Sequence, residues 1–284
     1  MGKRPLITLY TPGNRPDLVE KAARFEPDGI IIDFEDAVPI QLKAQVRGDI
    51  AKMLPGLTLT TLVRVNSAPE LLEDDLKAVV SAHIYGIALP MADTVGQVEN
   101  ADRIITGLER ERGLEPNSVK LFLLIETARG VAKCFDVCSA AKRVESVVFG
   151  SAEDGDLQGD LRSAWSIDGP EINYSRSRVL VEARAAGLPY VLDGAYSGIK
   201  DLDGLRAESR LSRRIGYDGR TLIHPSHVAV AREVYEPDPA EIDYYRRLIA
   251  AFEEAEKRGA AAIPFENKMV DYAMYKKAKL LVGA

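Results

Sequence analysis

A carboxylate directly follows one of the most apolar segments of the chain. Residues 121–125 read LFLLI, which suits a buried strand, and the next residue is Glu126. Burying an unpaired carboxylate costs so much free energy that it is normally neutralised, paired with a cation or bound to a metal ion. Glu126 is therefore a candidate metal ligand, and the alternative is a structural ion pair with Arg129 or another arginine.

Other apolar segments also end in polar side chains. If the segments are parallel strands of a barrel, these side chains meet at its C-terminal rim, where like charges repel and some must be neutralised. Mg²⁺ takes one or two carboxylates, and Glu126 and Asp154 follow adjacent predicted strands. The polar residues are Asp33, Glu35 and Asp36 after the second segment, Arg64 and Asn66 after the third, Gly150, Ser151 and Asp154 after the sixth, Asp193 after the seventh and His224 after the eighth.

The third apolar segment carries a cation, Arg64. A guanidinium can bind the carboxylate of a substrate through two parallel hydrogen bonds. The alternative is a salt bridge with Glu35 or Asp36. Asn66 follows two residues later on the same strand face, so it joins Arg64 as a candidate substrate-binding residue.

Eight short apolar segments alternate with stretches of helical pattern. This alternation is typical of an α/β protein with a parallel sheet covered by helices. Eight strands suit a closed (β/α)8 TIM barrel better than an open sheet. No GxGxxG or Walker sequence follows any strand, so the usual marker of nucleotide-binding folds is missing. The predicted strands are 6–10, 29–35, 61–66, 86–90, 120–126, 146–150, 188–193 and 219–224.

The chain continues well beyond the eighth predicted strand. We predict a barrel over residues 1–225 and a C-terminal helical extension over 226–284. One helix of the extension is predicted at 239–258, because Asp238 is a good N-cap and Pro239 suits the first helical position. Another helix is predicted from about residue 270.

Composition disfavours two classes of partner. The 284 residues are 46% hydrophobic with a net charge of −6, and no long run of Lys or Arg occurs, which disfavours nucleic acid or an anionic membrane as partner. No long uncharged apolar segment or signal-peptide pattern is present, so we expect a soluble, cytoplasmic protein. Cys134 and Cys138 are expected to be reduced structural thiols.

At this point several ordered motifs resemble the citrate lyase beta-subunit family, together with its malyl-CoA and citramalyl-CoA lyase relatives (the HpcH/HpaI aldolase family). These motifs run nearly from end to end of the chain, so together they are far more specific than any one alone. They are residues 11–16 (TPGNRP), 32–38 (IDFEDAV), 63–66 (VRVN), 125–130 (IETARG), 219–225 (GRTLIHP) and 268–271 (KMVD).

The resemblance implies a metal centre and an acid/base group. By matching position, Glu126 and Asp154 would hold Mg²⁺, and Arg64 would bind the carboxylate of a 2-oxo acid. Asp271 matches the acid/base aspartate of the family, which the C-terminal segment carries over the barrel of a neighbouring subunit. A helix N-cap is the alternative role of Asp271. Family members are commonly trimers, so a homotrimer is expected.

The substrate would lie against the loop after strand six. Gly150 and Ser151 are expected to contact it, together with Asn66 on strand three. The stretch from Gly150 to Asp154 is one residue longer than its family counterpart, which leaves a choice between Glu153 and Asp154 as the second ligand. We favour Asp154.

The reaction that the resemblance implies is cleavage of a carbon–carbon bond. A citryl-, malyl- or citramalyl-CoA-like thioester would give an acyl-CoA such as acetyl-CoA and a 2-oxo acid such as oxaloacetate, glyoxylate or pyruvate. The thioester could instead be carried by a protein within a citrate lyase complex. The alternatives are a malyl-CoA-type thioesterase, a pyruvate-dependent aldolase and a non-catalytic binding protein.

A few positions depart from the family pattern and keep the non-catalytic alternative open. Leu6 and Met91 stand where many relatives carry Arg and Lys, and Glu266-Asn267 replaces an Asp-Gly pair. Such changes at the site or its cover indicate that the substrate could differ from citryl and malyl thioesters.

Overall fold

The computed structural model describes residues 4–283, and among them eight parallel strands close into a barrel. Each strand pairs with the next along the chain, and β1 pairs with β8 to complete the circle. The predicted (β/α)8 barrel is therefore confirmed. The strands are β1 Ile7–Pro12, β2 Gly29–Asp33, β3 Thr60–Arg64, β4 Gly86–Leu89, β5 Lys120–Ile125, β6 Val144–Phe149, β7 Leu192–Asp193 and β8 Gly219–Leu222.

The apolar runs form strands because both faces of this sheet are buried. Successive side chains point alternately into the barrel and out toward the helices. The outward residues join a large core with the helices, whereas the inward residues form a separate cluster. That inner cluster consists of Ile31, Leu62, Ala88, Phe122, Leu124, Val148, Tyr190 and Leu192.

Helices connect the strands and surround the barrel. Thr94 begins α4 with a capping box shared with Gln97, and Asp201 caps α9 through the backbone N–H of Gly204. Such caps satisfy backbone donors that a helix leaves free at its start. The helices are α1 Pro16–Lys21, α2 Lys43–Met53, α3 Pro69–Val79, α4 Val95–Glu111, α5 Ala128–Ala132, α6 Cys134–Cys138, α7 Asp156–Leu161, α8 Asn173–Ala185, α9 Leu202–Ile215 and α10 His227–Tyr235, with 3₁₀ turns at Ala22–Phe25, Ile40–Leu42 and Leu54–Gly56.

The chain divides into two compact units between Tyr235 and Glu236. Residues 226–235, which the sequence analysis assigned to the extension, lie with the barrel. They do so because α10 packs against α9 and β8, and the Tyr235 hydroxyl bonds the Ser212 hydroxyl of α9 at 2.8 Å. The predicted ranges 1–225 and 226–284 also include residues 1–3 and 284, which lie outside the described part of the chain.

The second unit combines two helices with a hairpin that the sequence analysis did not predict. The helices are α11 (Pro239–Glu256) and α12 (Tyr272–Val282). Between them β9 (Ala262–Phe265) pairs antiparallel with β10 (Lys268–Asp271). Glu266 and Asn267 form the two-residue turn with positive φ angles of 43° and 63°, as such hairpin turns require.

Two further expectations concern the cysteines and Leu6. Cys134 and Cys138 are free and buried, as predicted. Leu6 lies just before β1 and packs against the inner cluster rather than lining the cavity described below.

Over residues 4–283, no helix has the length and apolarity needed to cross a membrane.

Candidate active site

A cavity of about 350 Å³ opens at the C-terminal ends of the barrel strands. Apolar and small residues form much of its wall, including Leu124, Val148 and Phe149. The charged residues in its lining are Asp33, Asp36, Arg64, Glu126 and Asp156. The lining thus holds four carboxylates against one guanidinium, an excess of negative charge that favours a bound cation.

Glu126 lies in this cavity at the end of β5. Its Oε1 accepts a hydrogen bond from the backbone N–H of Met91 at 2.9 Å, and Met91 adopts a left-handed φ of 51° to present that donor. Burial raises the pKa of the Glu126 carboxyl to about 7, and the nearby charge of Asp156 adds to the rise. The carboxylate is therefore held in place but poorly compensated.

Arg64 at the end of β3 is paired within the barrel. Its Nε and Nη2 donate to the two oxygens of Asp33 at 2.8 and 2.7 Å. Its Nη1 contacts Glu35 at 3.0 Å and Asp36 at 3.2 Å. The salt bridges considered as an alternative are therefore present, and Arg64 also lines the cavity. Burial raises the pKa of Glu35 to about 8.

Asp33, at the end of β2, also binds the backbone of the loop that follows. Its oxygens also accept the backbone N–H groups of Glu35 and Ala37, at 2.9 and 3.2 Å. It therefore fixes the following loop as well as the guanidinium of Arg64. All three carboxylates in and after β2, those of Asp33, Glu35 and Asp36, therefore lie around the guanidinium of Arg64.

Asp154 does not line the cavity, whereas Asp156 does. Asp154 is exposed in the loop after β6, with a positive φ of 55°, and its backbone N–H bonds the side chain of Gln158 at 3.0 Å. Asp156 begins α7 and brings its charge close to Glu126. Among residues 4–283 no group of three or more His, Cys, Asp or Glu side chains is arranged to hold a metal ion.

Asn66 lies outside the cavity, buried beneath the β3 rim. Its Nδ2 donates to Asp75 at 2.6 Å and to the Phe34 carbonyl at 3.1 Å. Its Oδ1 accepts from Lys43 Nζ at 2.6 Å. These bonds use its polar atoms inside the protein, so the structure places Asn66 in a supporting network rather than beside a substrate.

Gly150 and Ser151 both line the cavity, as expected for residues that contact a substrate. A Cβ on Gly150 would lie 2.5 Å from the Cβ of Glu126, so only glycine lets β6 approach the carboxylate this closely. The Ser151 hydroxyl accepts the backbone N–H of Gly194 at 3.2 Å. It thereby joins the loops after β6 and β7.

A buried ion network supports the same part of the rim. Arg220 of β8 donates to the Gly194 carbonyl at 2.7 Å and to Glu208 at 2.8 Å. Arg176 donates to the other oxygen of Glu208 at 2.9 Å and lies 3.4 Å from Asp193. Since all four charged side chains are buried, removing one would leave its partners uncompensated.

Asp271 belongs to the second unit, where it caps α12. Its Oδ1 accepts the backbone N–H groups of Ala273 and Met274 at 2.9 and 3.1 Å. The residue is exposed. The helix-cap role is therefore present, and it does not prevent the carboxylate from also acting in chemistry.

Tyr10 and Asp156 line the cavity, although the sequence analysis did not propose them as site residues. Tyr10 projects inward from β1, and the alternation along that strand was the signal that could have identified it. Asp156 was not considered from the sequence, because the loop after Gly150 is longer than its family counterpart. Extra length changes which carboxylate reaches the cavity, so the insertion itself was a reason to consider acidic residues beyond Asp154.

Comparison with known proteins finds a matching family and similar proteins. The sequence profile described as HpcH/HpaI aldolase/citrate lyase matches residues 6–225. The chain is 31% identical to the citrate lyase subunit beta of Leuconostoc mesenteroides subsp. cremoris, over 95% of this chain and 90% of that protein. It is 34% identical to a (3S)-malyl-CoA thioesterase of Cereibacter sphaeroides, over 93% and 88%.

Solved structures include a similar protein along the whole chain. CitE from Mycobacterium tuberculosis, in complex with magnesium, acetoacetate and coenzyme A, superposes with a TM-score of 0.78 at 26% identity, and the match covers 100% of both chains. The motifs, the barrel and these similarities agree with one another. The chain therefore belongs to the HpcH/HpaI aldolase/citrate lyase family and is an enzyme of this lyase family.

Proposed function

We propose that this enzyme is a Mg²⁺-dependent carbon–carbon lyase. Its substrate would be a short hydroxy-dicarboxylic or tricarboxylic acyl thioester of the citryl, malyl or citramalyl type. The products would be an acyl-CoA such as acetyl-CoA and a 2-oxo acid such as oxaloacetate, glyoxylate or pyruvate. The similarity to a citrate lyase beta subunit and to CitE supports this class of reaction.

The observation that carries the proposal is that two carboxylates, those of Glu126 and Asp156, line the same cavity as Arg64. Two carboxylates are what Mg²⁺ commonly takes from a protein, with water and substrate in its other positions. The raised pKa of Glu126 reflects a carboxylate that lacks compensation, which a divalent cation would supply. The donor set therefore fits Mg²⁺, with Glu126 and Asp156 as the residues that would hold it.

Cleavage breaks the bond between the hydroxyl-bearing carbon and the carbon next to the thioester. The hydroxyl loses its proton and becomes the ketone of the 2-oxo acid, while the carbon next to the thioester keeps the electron pair of the broken bond and gains a proton. When bound, the divalent ion supplies positive charge beside the oxygen that loses the proton. Arg64 would hold the carboxylate of the acid and so fix the orientation of the breaking bond.

Asp271 is our candidate for delivering the proton to the carbon next to the thioester. It would act on the barrel of a neighbouring subunit in an oligomer, which the resemblance implies to be a trimer. Exposed apolar side chains on the same unit support an association, since Met269 is 67% and Leu280 83% exposed.

Thioester hydrolysis is the second candidate, and the similarity to a (3S)-malyl-CoA thioesterase favours it. A lyase acting on malyl-CoA would release glyoxylate and acetyl-CoA. A thioesterase would release malate and free CoA, whose thiol reacts with a colorimetric reagent. Chromatography of the CoA products together with thiol detection therefore separates the two activities.

The first test is calorimetric titration of the purified protein with MgCl₂ and with oxaloacetate, glyoxylate or pyruvate. We expect at least one of these acids to bind only when Mg²⁺ is present, because the acid would share the cation. Glu126→Ala should abolish this binding. Glu99→Ala, which changes an exposed glutamate of α4, is the matched control and should bind normally.

Two results would contradict the proposal. One is the absence of binding by all three acids in the presence of excess Mg²⁺. The other is unchanged binding by Glu126→Ala. Either result would favour a different substrate class or the non-catalytic alternative.

A further inference from the structure

Tyr10 lines the cavity next to Arg64. Tyr10 lies on β1, and its ring packs against the inner cluster of the barrel. The residue is partly buried and lines the cavity. Among the described residues, none forms a hydrogen bond with its hydroxyl. A phenol in this position can donate one hydrogen bond and seeks an acceptor.

Tyr10 lies beside the residues that the proposed function uses. The guanidinium of Arg64 lies over its ring, 5.3 Å from the ring centre. Burial raises the pKa of the phenol above its usual range, and the negative charge of Glu126 contributes to the rise. The hydroxyl therefore keeps its proton near neutral pH and can only serve as a neutral donor or acceptor.

Arg64 by itself offers few free donors to a substrate. Its Nε and Nη2 donate hydrogen bonds to the two carboxylate oxygens of Asp33, and its Nη1 contacts Glu35 and Asp36. Asp36 is the easiest of these to displace, because its side chain is 72% exposed and can return to water. A carboxylate that replaced Asp36 would still need a second donor.

We propose that Tyr10 is that second donor and binds the 2-oxo acid directly. The carboxylate of the acid would displace Asp36 from Arg64 Nη1 and accept a hydrogen bond from the Tyr10 hydroxyl. The aromatic ring would keep supporting the guanidinium from the other side. This inference rests on the proposed function, since it names a further binding residue for the same acid.

Replacement of Tyr10 by phenylalanine tests the inference, because it removes the hydroxyl and keeps the ring. We expect Tyr10→Phe to weaken binding of the responsive acid about tenfold in the presence of Mg²⁺, as loss of a hydrogen bond to a charged group predicts. Binding of Mg²⁺ alone should be unchanged. Tyr174→Phe, at a 70% exposed tyrosine of α8, is the matched control. Thermal melts establish that each variant is folded.

A second variant tests the displacement of Asp36 independently. Asp36→Asn should bind the acid at least as tightly as the wild type, because the competing carboxylate is gone. Weaker binding by this variant, or unchanged binding by Tyr10→Phe, would overturn the inference while leaving the proposed function intact. If the wild type bound no acid with Mg²⁺, both would fall.

Discussion

Glu126 illustrates how a single buried carboxyl group can oppose folding. Its carboxyl has a pKa of about 7 in the folded protein, against an ordinary value of 4.5, because burial disfavours the charge. A raised folded-state pKa means that the folded protein binds this proton more tightly than the unfolded chain does. The bound proton therefore contributes fully to the stability of the folded protein below pH 4.5, and this contribution is lost as the pH rises to about 7.

This shift predicts a pH-dependent gain in stability for Glu126→Gln. Above pH 7 and without divalent metal, the charged Glu126 should cost about 2 to 3 kcal/mol. Thermal melts in chelator at pH 8 should place the variant about 5 °C above the wild type, and the difference should disappear near pH 5. The exposed Glu99→Gln serves as control. A difference of equal size at both pH values would contradict the assignment.

The choice between Asp154 and Asp156 is a second question at the residue scale. Since only Asp156 lines the cavity, Asp156→Asn should weaken Mg²⁺ binding more than tenfold by calorimetry, in proportion to the loss of one of two carboxylate ligands. Asp154→Asn, two residues away, should change it less than twofold. The opposite order would restore Asp154, the residue favoured from the sequence.

At the scale of elements, the rim depends on the close approach of β5 and β6. The chain passes Glu126 at Gly150 with no room for a side chain, since a Cβ there would lie 2.9 Å from the Cα of Glu126. The two nearest atoms are the Cβ and the Cα of Glu126, and neither is the end of a flexible side chain. The strands themselves would therefore have to move. Strand spacing and the position of the carboxylate are thus coupled.

Gly150→Ala should therefore reduce both stability and metal affinity. We expect a loss of about 1 to 3 kcal/mol in the free energy of unfolding, measured by urea denaturation without metal. Weaker Mg²⁺ binding should accompany it, because Glu126 is pushed aside. Gly159→Ala is the matched control in α7, where no atom lies within 4 Å of the added carbon. A Gly150→Ala variant as stable as this control would show that the strands yield without cost.

At the scale of the whole molecule, the residues proposed for binding and for proton transfer lie in two separate compact units. Every residue that lines the cavity lies in the barrel unit, whereas Asp271 lies in the second unit. The proposed reaction needs both. Binding of metal and 2-oxo acid should therefore be separable from turnover by changes in the second unit.

Asp271→Asn tests this separation without disturbing α12, because Asn caps a helix about as well as Asp. We expect turnover to fall at least about 100-fold, as for loss of an acid/base group, while calorimetric binding of the 2-oxo acid is kept. Asp238→Asn, which changes the cap of α11, is the matched control and should remain active. Full activity of Asp271→Asn would leave the helix cap as its only role.

The sequence alone was enough to predict the barrel, because its signals are local. Most strands are apolar runs, as β5 is, and helices such as α4 have their own periodicity and cap, so the order of elements could be read without knowing any contact. Glu126 and Arg64 were found in the same way, since a charge that ends a buried strand must lie at the rim of a parallel barrel.

Only the tertiary structure decided which neighbouring polar groups share the cavity. Asp156 replaces Asp154 there because the loop after β6 turns through a left-handed residue, and its path depends on contacts with Gln158 in α7. Asn66 was predicted beside the substrate, but Asp75 of α3 and Lys43 of α2 bind its polar atoms. Loop paths and long-range hydrogen bonds carry no periodic signal in sequence, whereas strands and helices do.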